Sequence, residues 1–269
     1  MTRALLLLVA LGVAAGGTAA DAAEEAIRTI ASRPGVTQAF VLVRPPGVPV
    51  ASAILFAGGR GRLGLERGRP GAAANNFLVR NRSAFAAHGL LVAVVDAPSD
   101  RAADGLVRFR TSAEHAEDVR AVIAALRAEA PAPVWLIGTS MGSVSAASAA
   151  ARLTAGGPDG VVLTSSVTGQ SRDMGESLQD VALERIRVPA LVVHHRDDGC
   201  RASRYADTSW LMRRLSAAPN RERLTFTGGA APQSDPCEPL APHGYFGIDA
   251  TVVDAIAGWI AAASPVAKP

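Results

Sequence analysis

Short runs of consecutive apolar residues, at 39–44, 50–56, 90–96, 134–137, 161–163 and 188–195, constrain this chain more than any other feature. They are too short for buried helices, and they lack the strict alternation of a strand with one wet face. Strands covered on both faces have this pattern, and such strands belong to mostly parallel sheets. A weaker run lies at 224–226. Between the runs the spacing turns helical. Val119, Val122, Ile123 and Leu126 share one face of a helix that Thr111-x-x-Glu114 starts as a capping box and Pro131 and Pro133 close. Further helices are predicted over 75–87, 143–153, 210–215 and 251–262, and one at 22–31 ahead of the first strand. This alternation predicts an α/β fold, a three-layer α/β/α sandwich around a mostly parallel sheet.

Residues 1–20 stand apart from that pattern. Thr2-Arg3 is a short basic start, 4–15 is apolar apart from Gly12, and Thr18-Ala19-Ala20 supplies small residues for cleavage, with Ala22 as the other cleavage point. This is the layout of a secretory signal peptide, a retained N-terminal anchor being the alternative. The apolar run is far below the ~18–20 residues that a membrane span needs, and no later segment is expected to span a bilayer. Residues 21–269 then form a single domain of about 250 residues. The formal net charge is +3, and Lys268 is the one lysine in a chain otherwise rich in arginine. The arginines are scattered and lack interleaved aromatics, which argues against nucleic-acid binding.

Gly138-Thr139-Ser140-Met141-Gly142 follows the apolar run 134–137 and precedes a small-residue stretch at 143–153. Strand, sharp turn and helix in that order make G-x-S-x-G a nucleophile elbow. The glycines leave room for the turn. The serine is held at a helix N-terminus, where backbone N–H groups can stabilise an oxyanion. An ordinary turn with a surface serine is the plain alternative, and the downstream residues argue against it. A serine hydroxyl needs a base within hydrogen-bond reach, and the base needs an orienting carboxylate. Asp198 follows the strand 188–195, and His243 lies beyond the long loop after 224–226. His194 and His195 sit in or at the edge of a strand, where core or supporting roles are expected. His88, His115 and Asp96 all precede the serine. Asp96, at a strand's carboxyl end, is expected to shape the nearby loop.

Ser140, Asp198 and His243 stand in the chain order of the α/β-hydrolase superfamily, which the sequence resembles over 39–262. Within it the chain looks like small secreted bacterial serine hydrolases without a large cap, of the esterase or dienelactone-hydrolase kind. The resemblance implies an α/β-hydrolase fold, with Ser140 as nucleophile, His243 as base and Asp198 as acid. The pattern His194-His195-Arg196-Asp197-Asp198 matches the family's His-Gly-x-x-Asp, which puts Asp198 in register ahead of Asp197. Met141 would give one oxyanion-hole N–H, and Gly59 or Arg60 the other. That second loop often begins His-Gly in the family, and here Ala57-Gly58 stands in its place.

Cys200 and Cys237 are an even count in an exported chain, which permits a disulfide, two buried thiols being the alternative. A bridge would close a loop of about 38 residues and stabilise on the order of 4 kcal/mol in the chain-entropy model. It would also tether the acid loop to the base loop. Arg60, Arg62, Arg67 and Arg69 lie in a long polar connection, either a solvated loop or a rim that attracts anions. His194, His195, Asp197 and Asp198 have the composition of a metal site, but neighbours on a strand face opposite ways, so no metal is expected. No cofactor is expected either. The expectation is a secreted or periplasmic serine hydrolase that cleaves carboxylic esters through an acyl-enzyme. Peptidase, thioesterase or acyltransferase chemistry uses the same groups, and a non-catalytic binding protein on this scaffold is the other class. The expected partner is a small ester or acyl compound, with no nucleic acid and no stable membrane insertion, and the chain is expected to be a monomer or weak homodimer.

Overall fold

The apolar runs form strands of one sheet in a computed structural model that describes residues 24–71, 73–169 and 175–264. The predicted signal peptide lies outside the described residues. In chain order the strands are β1 (Glu25–Arg33), β2 (Val36–Val43), β3 (Ala51–Phe56), β4 (Leu90–Val95), β5 (Val134–Thr139), β6 (Gly160–Thr164), β7 (Ala190–His195) and β8 (Arg221–Phe226). They form an eight-stranded sheet in the order β1-β2-β4-β3-β5-β6-β7-β8. β2 pairs antiparallel with both β1 and β4, and every other neighbouring pair is parallel.

Helices cover both faces. They are α1 (Phe77–Arg80), α2 (Arg82–Ala87), α3 (Ala113–Glu129), α4 (Gly142–Arg152), α5 (Thr208–Arg214) and α6 (Asp249–Ala263). Successive strand residues point to opposite faces, and β5 shows the consequence. Val134 and Leu136 join Val119, Ile123 and Val144 of α3 and α4 in one layer. Trp135 and Ile137 join Phe77, Phe85, Val253 and Ile256 of α1, α2 and α6 in the other. Each such side chain, fully buried, stabilises by roughly 1.5–3 kcal/mol. At the far edge β8 begins Arg221-Glu222-Arg223, all exposed, which blunts the edge against pairing with other chains.

Three expectations need correction. The helix predicted at 22–31 is instead β1, which pairs with β2 in the register Glu25↔Val43 to Arg33↔Val36. Its Ala- and Glu-rich composition favours a helix, but pairing with an apolar neighbour overrides that preference. The Pro34-Gly35 turn, with Gly35 at φ +71°, closes the hairpin. The helix predicted at 75–87 is broken at Asn81 into α1 and α2. The capping residue of α3 is Ser112, whose side chain accepts from the His115 N–H, whereas Thr111 Oγ1 donates to Glu176 Oε1 at 2.7 Å.

One stretch bears on the expectation about membranes. Eighteen residues within Pro242–Ala263 reach a mean hydropathy of 1.5, enough by length and composition to cross a bilayer. Structurally the stretch is a single 3₁₀ turn, Pro242–Gly244, followed by α6 of 15 residues. A helix of that length spans only about 22 Å, against the roughly 30 Å of a hydrocarbon core. Its apolar stripe of Val252, Val253, Ile256 and Ile260 is buried against the sheet.

Candidate active site

Backbone crowding dictates the turn after β5. A Cβ on Gly138 would stand 2.2 Å from the Gly142 carbonyl oxygen, and one on Gly142 would stand 2.0 Å from that of Phe56. Only glycine allows β3, β5 and α4 to approach this closely. Ser140 between them is half-buried at φ 53°, a left-handed conformation that non-glycine residues rarely adopt. Its N–H donates to the Thr164 carbonyl at 3.0 Å, and its own carbonyl accepts from Ser143 N–H at 3.0 Å. The strain is therefore held from both sides, and the side chain is turned off the strand end into a cavity of about 710 Å³.

Asp198 lies just beyond β7, and its side chain is fully buried. Oδ2 accepts from His243 Nδ1 at 2.8 Å and from Ser203 Oγ at 3.2 Å, with His194 Nε2 at 3.3 Å, and Oδ1 accepts from Cys200 N–H at 2.9 Å. Burial alone would push this carboxyl up. The hydrogen bonds from His194 and His243, the charge interaction with His243 and the Cys200 N–H outweigh it and hold the pKa at about 2. An ionised carboxylate only accepts. Nδ1 of His243 therefore carries a proton and is the donor to Asp198. His243 and Ser140 line the same cavity, but no hydrogen bond joins Ser140 Oγ to His243 Nε2, which is buried without a partner among the described residues.

The turn that carries His243 is fixed from three directions. Its carbonyl accepts from Ser165 Oγ at 2.7 Å, and Tyr245 Oη donates to the Val193 carbonyl at 2.9 Å while accepting from Ser165 N–H at 3.2 Å. Arg80 reaches from α1 to donate to the Gly244 carbonyl at 2.6 Å and to Asp249 at 2.7 Å. Cys200 and Cys237 form a disulfide, and both line the cavity.

Across the cavity stands the loop after β3. Gly58 packs so closely that a Cβ would lie 2.9 Å from Ser140 Cβ. Gly59, Arg60 and Met141 line the cavity, and among the described residues their N–H groups make no hydrogen bond. Arg60, Arg62 and Arg67 are at its rim, where Arg62 and Arg67 share Glu66 at 3.2 and 3.9 Å. Asp96 shapes this loop by accepting from the N–H groups of Leu63 at 2.6 Å and Leu65 at 2.9 Å. His195 faces the other way from His194 and binds the Gly228 carbonyl at 2.9 Å, and Asp197 is not part of the His243 pair.

No family model matches the chain, and no curated protein matches it by sequence. Solved structures do match. An α/β serine hydrolase without a lid from Xanthomonas campestris superposes with a TM-score of 0.60 at 20% identity, covering 91% of this chain and 97% of the other. An esterase from Pyrococcus furiosus gives a TM-score of 0.64 at 12% identity, covering 90% and 92%. A dienelactone hydrolase from Anabaena variabilis gives 0.59 at 13%, covering 91% and 100%. The fold is that of the α/β hydrolases.

Sequence reasoning left several parts of this candidate site unassigned. The contacts of Arg80 with the His243 turn, of Tyr245 with Val193 and Ser165, and of Arg110 with Ala57 and Gly59 join segments far apart in the chain, and the contact of His194 with Asp198 was also left out. Only the His194–Asp198 spacing, four residues across a strand end, carried a local signal.

Proposed function

We propose that this chain is a serine hydrolase that cleaves carboxylic esters through an acyl-enzyme, with Ser140, His243 and Asp198 as its triad. Ser140 Oγ attacks the ester carbonyl carbon while His243 Nε2 takes its proton. Asp198 keeps Nδ1–H oriented and stabilises the imidazolium that results. The carbonyl oxygen, now negative, is met by N–H groups of Met141 and of Gly59 or Arg60. Collapse breaks the bond to the alkoxide, which leaves with the proton from Nε2. Water then attacks the acyl-enzyme by the same route and frees the acid. The observation that carries this reading is the Asp198–His243 hydrogen bond, with His243 and a strained Ser140 lining one cavity. The fold neighbours, serine hydrolases and esterases by description, support it.

Export belongs to the same proposal. Residues 1–20 would be removed as a signal peptide, leaving 21–269 as a single domain outside the cytoplasm, and the Cys200–Cys237 disulfide supports an oxidising compartment. A fluorophosphonate probe tests the chemistry. It should label the wild type and fail to label Ser140→Ala, and p-nitrophenyl esters should be hydrolysed by the first alone. Folded wild type that resists the probe and leaves every ester intact would exclude the proposal.

A further inference from the structure

Arg110 is 1% exposed and one of the largest fully buried side chains in the molecule. It lies in the turn before α3, outside every group named in the triad. Its Nη2 donates to the carbonyls of Gly59 at 3.0 Å and Ala57 at 3.3 Å, and its Nη1 donates to Ser145 Oγ, on α4, at 2.7 Å. The nearest carboxylate does not touch the guanidinium. Glu176 accepts instead from the backbone N–H of Arg110 at 3.3 Å and from Thr111 N–H at 3.0 Å. Burial pulls the guanidinium down to about 10, partly offset by Glu176, so the group is a cation at neutral pH. A buried cation bonded to two carbonyls and a hydroxyl is expensive, and its position shows what it holds.

The two carbonyls belong to the peptide planes 57–58 and 59–60, which bracket the cavity-lining residues Gly58 and Gly59. In a trans peptide the C=O and the following N–H point in opposite directions. With the Gly59 carbonyl on Arg110, the Arg60 N–H is directed away from the guanidinium. Arg60 lines the cavity with Ser140, and Arg110 does not.

We infer that Arg110 is a positioning residue for the oxyanion hole, clamping the 57–58 and 59–60 peptides so that the Arg60 N–H faces the carbonyl oxygen of a bound ester. The inference rests on the serine-hydrolase reading of the site and deepens it. Binding the carbonyl to a cation also polarises the peptide and strengthens its N–H as a donor. Ser145 links the same clamp to the elbow helix, so the two halves of the oxyanion hole are held to one group.

The test compares wild type, Arg110→Met and Arg110→Lys with p-nitrophenyl acetate, alongside a boronic acid that forms a tetrahedral adduct on serine. Arg110→Met should lower kcat about 10- to 100-fold with KM changed less than threefold. Its affinity for the boronic acid should fall by the same factor as kcat/KM. Arg110→Lys, which keeps the charge but loses the fork, should recover part of both. An Arg110→Met enzyme within twofold of wild type, or one that loses substrate binding while the boronic acid binds as before, overturns the inference. If Arg110→Met does not fold, the lysine variant decides by the same two ratios. If neither folds, Arg110 serves folding and the inference falls. An inactive, unlabelled wild type is a different result, because it removes the serine-hydrolase reading itself.

Discussion

His194 and His243 converge on one oxygen of Asp198, with Nε2 of the first at 3.3 Å and Nδ1 of the second at 2.8 Å. The Nε2 of His194 also lies 3.0 Å from the Ser203 carbonyl, which can only accept, so this nitrogen carries the proton and is shared between two acceptors. Asp198 is thus held between two imidazoles, those of His194 and His243. Asp198→Asn should lower kcat by about 10³–10⁴-fold, because an amide in that place favours the wrong imidazole tautomer. His194→Leu should cost about 10-fold, since a misplaced triad member still functions in part. His194→Gln keeps an N–H donor and should restore most of that loss. Steady-state kinetics on a p-nitrophenyl ester decide it, and equal rates for the leucine and glutamine variants would refute the hydrogen-bonding role.

Acid should unfold this protein in two overlapping stages. His115 is buried, and desolvation, helped by the nearby Arg110 and Arg33 charges, lowers it to about 3 from an ordinary 6.5. Between those values the unfolded chain binds a proton that the folded one refuses, so stability falls as pH drops from about 6.5 towards 3, by at most about 1.4 kcal/mol per pH unit. Asp198 is depressed instead from 3.8 to about 2, despite its burial, and its contribution is present above 3.8 and lost as pH falls through 2. Denaturant midpoints between pH 7 and 4 test the first stage. His115→Asn should flatten that slope, whatever it does to stability at pH 7, and parallel slopes would rule His115 out.

Six strands, β2 to β7, were legible because each holds a continuous apolar run that only a doubly covered sheet explains, whereas β8 signalled only its last three residues. β1 was not legible, since most of its side chains are exposed and its composition favours a helix. The Pro34-Gly35 turn was the available signal. At the site, chain order singled out Ser140, Asp198 and His243, whereas their distances belong to contacts 45 residues apart and more. Arg110 was illegible for a related reason. Nothing in the sequence singled it out, because its acceptors are 51 and 53 residues away in the loop after β3.

The elbow glycines should tolerate nothing larger. Gly142→Ala sets a methyl 2.0 Å from the Phe56 oxygen and 2.9 Å from that of Ala57, buried backbone atoms at the end of β3 and just beyond it. Neither can retreat without moving β3 and the loop that follows it. Losses of 3 kcal/mol or more are expected, in the range seen for severe overpacking. Thermal melts or the yield of soluble chain would register this, and a Gly142→Ala protein that melts within about 2 °C of wild type would contradict the geometry.

The Cys200–Cys237 disulfide joins the loop of Asp198 to the loop that leads to His243, and Cys200 also donates its N–H to Asp198 Oδ1 at 2.9 Å. Removing the bridge frees a long segment in the unfolded chain, and the chain-entropy model gives a loss on the order of 4 kcal/mol. Function should suffer more than stability alone explains. His243 and Asp198 come from opposite ends of the bridged segment, and small displacements of catalytic groups are costly. A double variant, Cys200→Ser with Cys237→Ser, should melt lower than wild type. At a temperature where both are fully folded, it should also show a reduced kcat. Reduction of the wild type by dithiothreitol should produce the same pair of changes, reversed on reoxidation. A variant that melts lower but turns over at the wild-type rate would limit the bridge to stabilising the fold.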